Sequence, residues 1–266
     1  MRMALGVEYD GTAYIGWQRQ KLGIGVQECL ETAIGRVADE VIGTICAGRT
    51  DAGVHATGQV VHFDTIAERS EHGWLLGINS NLPDDINVNW IARVDDDFHA
   101  RYSAKSRTYR YIILNSTVRS SLDRHRSWWV HSSLNEQAMQ QGADLLLGKH
   151  DFSAFRAAGC RSTTAIRDIT QIKVLRKNCW ILIVVTANAF LQHMVRNIVG
   201  TLVAIGSEAQ KPQWASAVLD SGDRTQAGIS APPQGLTLVN VSYAGSSSAL
   251  PTNRDTSGIN LYDAVL

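Results

Sequence analysis

Arg49 and Asp51 stand two residues apart in the stretch Cys46-Ala47-Gly48-Arg49-Thr50-Asp51-Ala52-Gly53-Val54-His55-Ala56. The apolar runs that flank it, Val41 to Ala47 and Gly58 to Phe63, read as strands, so the polar group between them is a loop. Gly48 and Gly53 permit a tight backbone path around the two charged residues. A guanidinium beside a carboxylate stabilises its charged form, which describes a nucleophile or electrostatic stabiliser better than a general acid. The plain alternative is a hairpin loop whose two charges pair only with each other.

A second set of candidates lies in Ser106-Arg107-Thr108-Tyr109-Arg110-Tyr111-Ile112-Ile113. Strand alternation sends Arg107, Tyr109 and Tyr111 to one face and Thr108, Arg110 and Ile112 to the other. A tyrosine ring can stack on an extruded nucleobase while its hydroxyl forms a hydrogen bond, and it can equally pack in a core. In Phe190-Leu191-Gln192-His193-Met194-Val195-Arg196-Asn197-Ile198-Val199-Gly200, Arg196 sits in a very apolar neighbourhood. Burying it without a partner is costly, so either a carboxylate lies nearby or the side chain snorkels to solvent. Neither His193 nor His55 is assigned a catalytic role.

The 266 residues suffice for one large domain or two of ordinary size, and 44% apolar with 19% charged residues describe a globular protein. Cys29, Cys46, Cys160 and Cys179 are far apart with no Cys-x-x-Cys pair, which disfavours a zinc knuckle and a disulfide framework and suits a reducing cytoplasm. The N-terminus turns acidic at Glu8 before a signal-peptide core can form, and no apolar run spans a bilayer.

The 25 basic and 25 acidic residues cancel, but their distribution does not. Residues 84–97 carry Asp84, Asp85, Asp95, Asp96 and Asp97 against Arg93. Residues 101–126 carry Arg101, Lys105, Arg107, Arg110, Arg119, Arg124 and Arg126 against Asp123 alone. Such a basic middle suits a phosphate backbone, the alternative being a solvated strand face. Lys149, His150, Arg156, Arg161 and Arg167 extend it, with Phe152 and Phe155 as stacking surfaces for a structured RNA or as core.

These residues need elements to position them. Met3 to Tyr9 reads as a strand, Gly16 to Gln20 as a polar loop, Val26 to Ala38 as a helix, Ser70 to Ser80 as a second helix and Ile86 to Val94 as a strand. With the two runs around the Arg-Asp loop this is the ferredoxin-like order of strand, helix, strand, strand, helix, strand. A second half repeats it loosely. Its strands are Arg107 to Leu114, Trp128 to His131, Ile166 to Leu175, Cys179 to Ala187 and Gly235 to Tyr243. Its helices are Leu134 to Leu147, Phe190 to Ile205 and Pro212 to Leu219. The expected fold is α+β, with two ferredoxin-like units of antiparallel or mixed sheet flanking a central basic cleft. Domains are expected at 1–104 and 105–244, followed by a flexible tail from 245 to 266.

The stretch from Ala47 to Ala56 closely resembles the catalytic loop of the tRNA pseudouridine synthases of the TruA family. The resemblance runs from about Ala4 to Tyr243, taking in Gly16 to Gln20, the Tyr-Arg-Tyr group and Gly235-Leu236. It implies the pseudouridine synthase fold and isomerisation of uridine to pseudouridine at nucleotides 38, 39 and 40 of the tRNA anticodon stem-loop, without metal or redox cofactor. By the same resemblance Asp51 is the essential acid, Tyr109 lines the substrate pocket with Leu236, and Arg196 reaches Asp51. Arg49 is expected to contact substrate and Arg19, Arg107, Arg110 and Arg156 to contact RNA; the resemblance implies a homodimer, and the cysteines imply a cytoplasmic location. Two other classes stay open on the residues alone. One is a non-catalytic RNA-binding module. The other is a glycosidase that would need a second carboxylate, for which Asp64 and Glu8 are the nearest candidates in sequence.

Overall fold

The computed structural model describes residues 1–244, 250 and 251; the rest of the expected tail lies outside the described residues. The chain divides into two compact units, Met1–Lys105 together with residues 238–244, and Ser106–Thr237. The expected boundary lay between residues 104 and 105. The return at Leu238 was not expected, since the second unit was expected to run to residue 244.

The first unit is built in the order β1 (Arg2–Tyr9), α1 (Val26–Ala38), β2 (Thr44–Cys46), β3 (His55–Asp64), α2 (Glu71–Asn79) and β4 (Ile86–Val94). Strand β1 lies between β4 and β3, antiparallel to both, and β2 pairs with β3, so the first and last strands of the split unit are neighbours. Strand β10 (Leu236–Tyr243) lies next to β3 in the sheet order. The contact is close because Gly58 has no side chain: a Cβ there would stand 2.1 Å from the Val239 carbonyl oxygen. The Tyr243 hydroxyl donates to the Ala100 carbonyl at 2.7 Å, which ties the end of β10 into this unit.

Helix α1 buries Val26, Leu30, Ala33 and Ile34 along one stripe and ends at Asp39, which takes a left-handed φ of 60° as its N–H closes on Gly35. Ser70 caps α2 by accepting from the Gly73 N–H at 3.0 Å. Strand β2 is shorter than the apolar run from Val41 to Ala47. Only Thr44 to Cys46 pair with β3, and Val41 is fully exposed. At that end the Glu40 carboxylate accepts from the Thr65 hydroxyl and the Ile66 N–H, replacing strand pairing with a side-chain closure.

In the second unit β5 (Ala104–Asn115), β9 (Trp180–Ala187), β8 (Ile166–Lys177) and β7 (Gly148–Asp151) follow one another as antiparallel neighbours, and β6 (Trp128–Val130) adds to β5 in parallel. Helices α3 (Glu136–Asp144), α4 (Met194–Gly206) and α5 (Trp214–Ser221) complete it. Helix α3 starts later than Leu134 because the Asn135 side chain caps it, accepting from the N–H groups of Gln137 and Ala138. Helix α4 starts four residues after Phe190 because His193 takes a left-handed φ of 62°, which no α-helix accommodates. Phe152 and Phe155 are core: both are fully buried, with ring centroids 6.0 Å apart. Among the described residues, no helix is long and apolar enough to cross a membrane.

One buried group sets a pH limit on the first unit. His62, on β3, is 2% exposed, and its Nδ1 accepts the Ala100 N–H at 3.1 Å. Burial, with Arg2 and His99 nearby, lowers its pKa from 6.5 to about 4. The unfolded chain therefore binds this proton more readily than the folded one. The contribution to stability is complete above pH 6.5 and is lost as the pH falls towards 4. Replacing His62 by Asn, which keeps an acceptor, is expected to shrink the acid destabilisation by on the order of 1 to 2 kcal/mol, allowing for solvent screening. Urea titrations at pH 7 and pH 4.5 measure this; equal acid sensitivity in both proteins contradicts it.

Candidate active site

The loop from Ala47 to Val54 connects β2 to β3, and it is held at nearly every residue. The Ala47 N–H donates to the Val60 carbonyl at 2.8 Å. Gln59, fully buried on β3, grips Gly48 from both sides: its Nε2 donates to the Gly48 carbonyl at 2.6 Å and its Oε1 accepts the Gly48 N–H at 3.4 Å. Thr50 is buried, its hydroxyl 2.8 Å from that of Tyr9 and its carbonyl accepting the Trp17 N–H at 3.0 Å. The Asp51 carbonyl accepts the Val54 N–H, and Gly53 donates to the Tyr14 carbonyl.

Thr50 is buried, between an exposed Arg49 and a half-buried Asp51. At Cys46, just before the loop, burial pushes the thiol up to about 12, which leaves it no thiolate at neutral pH to act as a nucleophile.

Two glycines let the preceding turn reach the loop. Gly16, at φ +104°, forms an isolated antiparallel bridge with Asp51, and a Cβ there would lie 2.7 Å from the Thr50 carbonyl oxygen. A Cβ on Gly11 would stand 2.0 Å from the Val54 carbonyl oxygen. His55 belongs to this support. Its Nδ1 lies 3.0 Å from the Gly11 nitrogen and 3.2 Å from Asp10 Oδ1. The His55 ring, with the Thr12 hydroxyl and N–H, holds the Asp10 carboxyl below the usual carboxylate range. Arg19, in the loop before α1, pairs with Glu31 at 2.9 Å while remaining more than half exposed.

The remaining candidates belong to the second unit. On β5, Arg107 and Tyr109 are both buried. Arg107 Nη1 donates to the Asn188 carbonyl at 2.8 Å, and the Tyr109 ring meets Phe190 edge to face at 5.0 Å. Arg110 is half-buried on the opposite face of the strand. Tyr111, fully buried, donates its hydroxyl to the Pro232 carbonyl at 2.7 Å.

Arg196, in the first turn of α4, is half-buried and donates Nε to the Ala231 carbonyl at 2.7 Å, while the Ala231 N–H returns to the Arg196 carbonyl at 3.0 Å. The segment from Ala231 to Leu236 is thus strapped to α4 at one end and to β5 at the other, where a Cβ on Gly235 would strike the Tyr111 ring at 2.6 Å. Leu236 is buried immediately after it. Arg156 is half-buried, and its Nη2 donates to the carbonyls of Cys160 and Ser162, closing its own loop. By contrast Arg119, Arg124 and Arg126, in the connection between β5 and β6, are exposed.

The structure therefore groups Arg19, Arg49 and Asp51 in the first unit, and Arg107, Tyr109, Arg110, Arg156, Arg196 and Leu236 in the second. Reading the sequence missed Gln59, Tyr9 and Thr50. The available signal was a glutamine second in the largely apolar strand run Gly58 to Phe63.

Asp51 thus sits on a braced loop in one unit, and Arg196 and Tyr109 sit on a helix and a strand of the other. A family model described as tRNA pseudouridine synthase matches residues 6–103 and 143–244, and the chain belongs to that family. The matched segments contain Asp51, Arg196 and Leu236, while Tyr109 lies in the stretch between them. The chain is similar to proteins named tRNA pseudouridine synthase A. That of Pseudoalteromonas atlantica is 54% identical over 243 residues, covering 91% of this chain and 92% of the relative. That of Colwellia psychrerythraea is 52% identical over 243 residues, covering 91% and 94%. That of Coxiella burnetii is 52% identical over 242 residues, covering 91% and 93%.

Proposed function

We propose that the chain isomerises uridine to pseudouridine in tRNA, at positions 38, 39 and 40 of the anticodon stem-loop. The observation that carries this reading is the loop of Asp51, held by Gln59, Tyr9 and Trp17, in a chain that belongs to the tRNA pseudouridine synthase family.

The N-glycosidic bond breaks, the freed base turns, and a carbon-carbon bond joins its C5 to the same ribose. The hydrogen on C5 leaves to solvent as N1 gains one, so the nucleoside keeps its composition. Asp51 begins the reaction, either as nucleophile or as the base that starts an elimination. The target nucleotide must first leave the stack, at a cost of a few kcal/mol. Tyr109 and Leu236 hold the extruded base, and Arg49 and Arg196 stabilise the flipped nucleotide.

Arg19, Arg107, Arg110 and Arg156 serve the RNA unequally. Arg107 and Arg156 are committed in part to carbonyls of their own unit, so they shape the surface as much as they contact it. Phosphate contact falls first to exposed side chains, Arg19 and the group Arg119, Arg124 and Arg126. The enzyme works in the cytoplasm, in keeping with its four unpaired cysteines, and as a homodimer. Light scattering is expected to give twice the 29.1 kDa of one chain.

A transcript carrying tritium at C5 of its uridines tests the positions. Release of tritium is expected from the unaltered anticodon stem-loop, with loss of that release when uridines 38, 39 and 40 are all replaced by cytidine. Undiminished release from the substituted transcript would place the modified nucleotides elsewhere.

A further inference from the structure

We infer that Gln59 is a positioning residue for the reaction, and that its amide fixes the direction in which Arg49 and Asp51 face. The inference rests on the reading of Asp51 as the acid that begins the chemistry. Gln59 is 0% exposed, in the middle of β3, where a leucine or methionine would fill the space without the cost of burying an amide. What the amide adds is a bond to each of the two peptide groups that flank the Gly48 Cα. One end donates to the Gly48 carbonyl at 2.6 Å and the other accepts the Gly48 N–H at 3.4 Å.

Gly48 is where such a grip matters. Before it, the Ala47 N–H is held by Val60, and after it Thr50 is held by Tyr9 and Trp17. Between these points the chain passes through Gly48 and the exposed Arg49. The Gln59 amide bridges this gap, and glycine has the widest choice of backbone conformations of any residue. Releasing it frees the peptide plane that leads into Arg49 and leaves Tyr9, Trp17 and Gly16 to hold Thr50 and Asp51 without that support. Displacing a reacting group by about 1 Å can cost roughly 100-fold in rate without loss of substrate affinity.

Two substitutions separate positioning from mere packing. Gln59→Met keeps the volume and removes both hydrogen bonds; kcat is expected to fall by about 30- to 100-fold, with KM within about twofold of the parent. Gln59→Glu keeps the shape and makes the grip depend on protonation. The neutral acid donates its O–H to the Gly48 carbonyl and accepts the Gly48 N–H as the amide does, whereas the carboxylate faces that carbonyl with no proton to give. A carboxyl so deeply buried titrates well above its usual range. The activity of Gln59→Glu relative to the parent is therefore expected to rise as the pH falls from 8.5 to 5.5, while that of Gln59→Met stays low and flat.

Parent-like kcat in Gln59→Met would overturn the inference. So would a loss in both variants that follows the folded fraction by circular dichroism, with no recovery of Gln59→Glu in acid. Asp51→Asn assayed beside them separates the two readings. If it is inactive while Gln59→Met is not, only the role of Gln59 fails; if it is active, the reading of Asp51 fails.

Discussion

Asp51→Asn is expected to lose isomerisation by at least about 10,000-fold while binding tRNA within a few-fold of the parent. The substitution changes one atom in a half-buried side chain. The loop's tethers are made by backbone groups and by neighbouring side chains, at Gly48, Thr50, the Asp51 carbonyl and Gly53, so the amide inherits the same position. In the proposed reading, affinity for RNA comes mainly from basic groups elsewhere, among them the exposed Arg119, Arg124 and Arg126. Tritium release measures the chemistry and a gel shift measures the binding. An equal loss in both would mean that Asp51 serves the RNA surface and not the reaction.

Gly16→Ala is expected to have the second largest effect, through a residue with no side chain. Gly16 holds φ at +104°, a region that L side chains rarely adopt, and its missing Cβ faces the Thr50 carbonyl oxygen at 2.7 Å and the Asp51 carbonyl carbon at 3.0 Å. Alanine must therefore distort its own backbone and push the loop outward at Thr50 and Asp51. The backbone strain alone costs about 1–3 kcal/mol of stability. Displacement of the loop lowers kcat by about 100-fold in the fraction that remains folded. Urea titration and single-turnover kinetics at saturating enzyme report the two effects separately. Gly222→Ala is the comparison: it also has positive φ, at +61°, but its Cβ would meet nothing within 4 Å. It is expected to lose stability only. Comparable loss of activity in the two would detach the loop's position from catalysis.

The centre of the loop was legible in sequence because its signals are local. Two glycines, two charges and two apolar flanks lie within a few residues of each other, and the resemblance of that stretch to the TruA family added the chemistry. Its supports were not legible. Tyr9, Trp17 and Gln59 reach Gly48 and Thr50 across the fold, and nothing in their immediate neighbours announces a hydrogen bond to a loop. Strand β7, Gly148–Asp151, has the sequence Gly-Lys-His-Asp and no strand propensity; it exists because β8 offers it a ladder from Ile166 to Ile169. The late start of α4 turns on a single left-handed residue, His193, inside a run whose apolar spacing continues through it.

Burial was the other limit. Arg107 and Arg156 read as part of a basic face, and each also donates to carbonyls of its own unit. A strand arginine that serves a neighbouring carbonyl has the same sequence signature as one that awaits a phosphate. The return of the chain to the first unit at Leu238 was hidden for a similar reason. It depends on Gly58 admitting the backbone of Val239 and on Tyr243 reaching Ala100, both of them contacts across most of the chain.

Digestion of a tRNA transcript to nucleosides after incubation with the protein, and with Asp51→Asn in parallel, tests the proposed chemistry most directly. The expected result is pseudouridine in place of up to three uridines with the parent and none with the variant, the ribose-phosphate chain remaining intact in both. Unchanged uridine with the parent would leave an RNA-binding protein without this activity, and an abasic ribose with free uracil would reveal a glycosidase; either contradicts the isomerase.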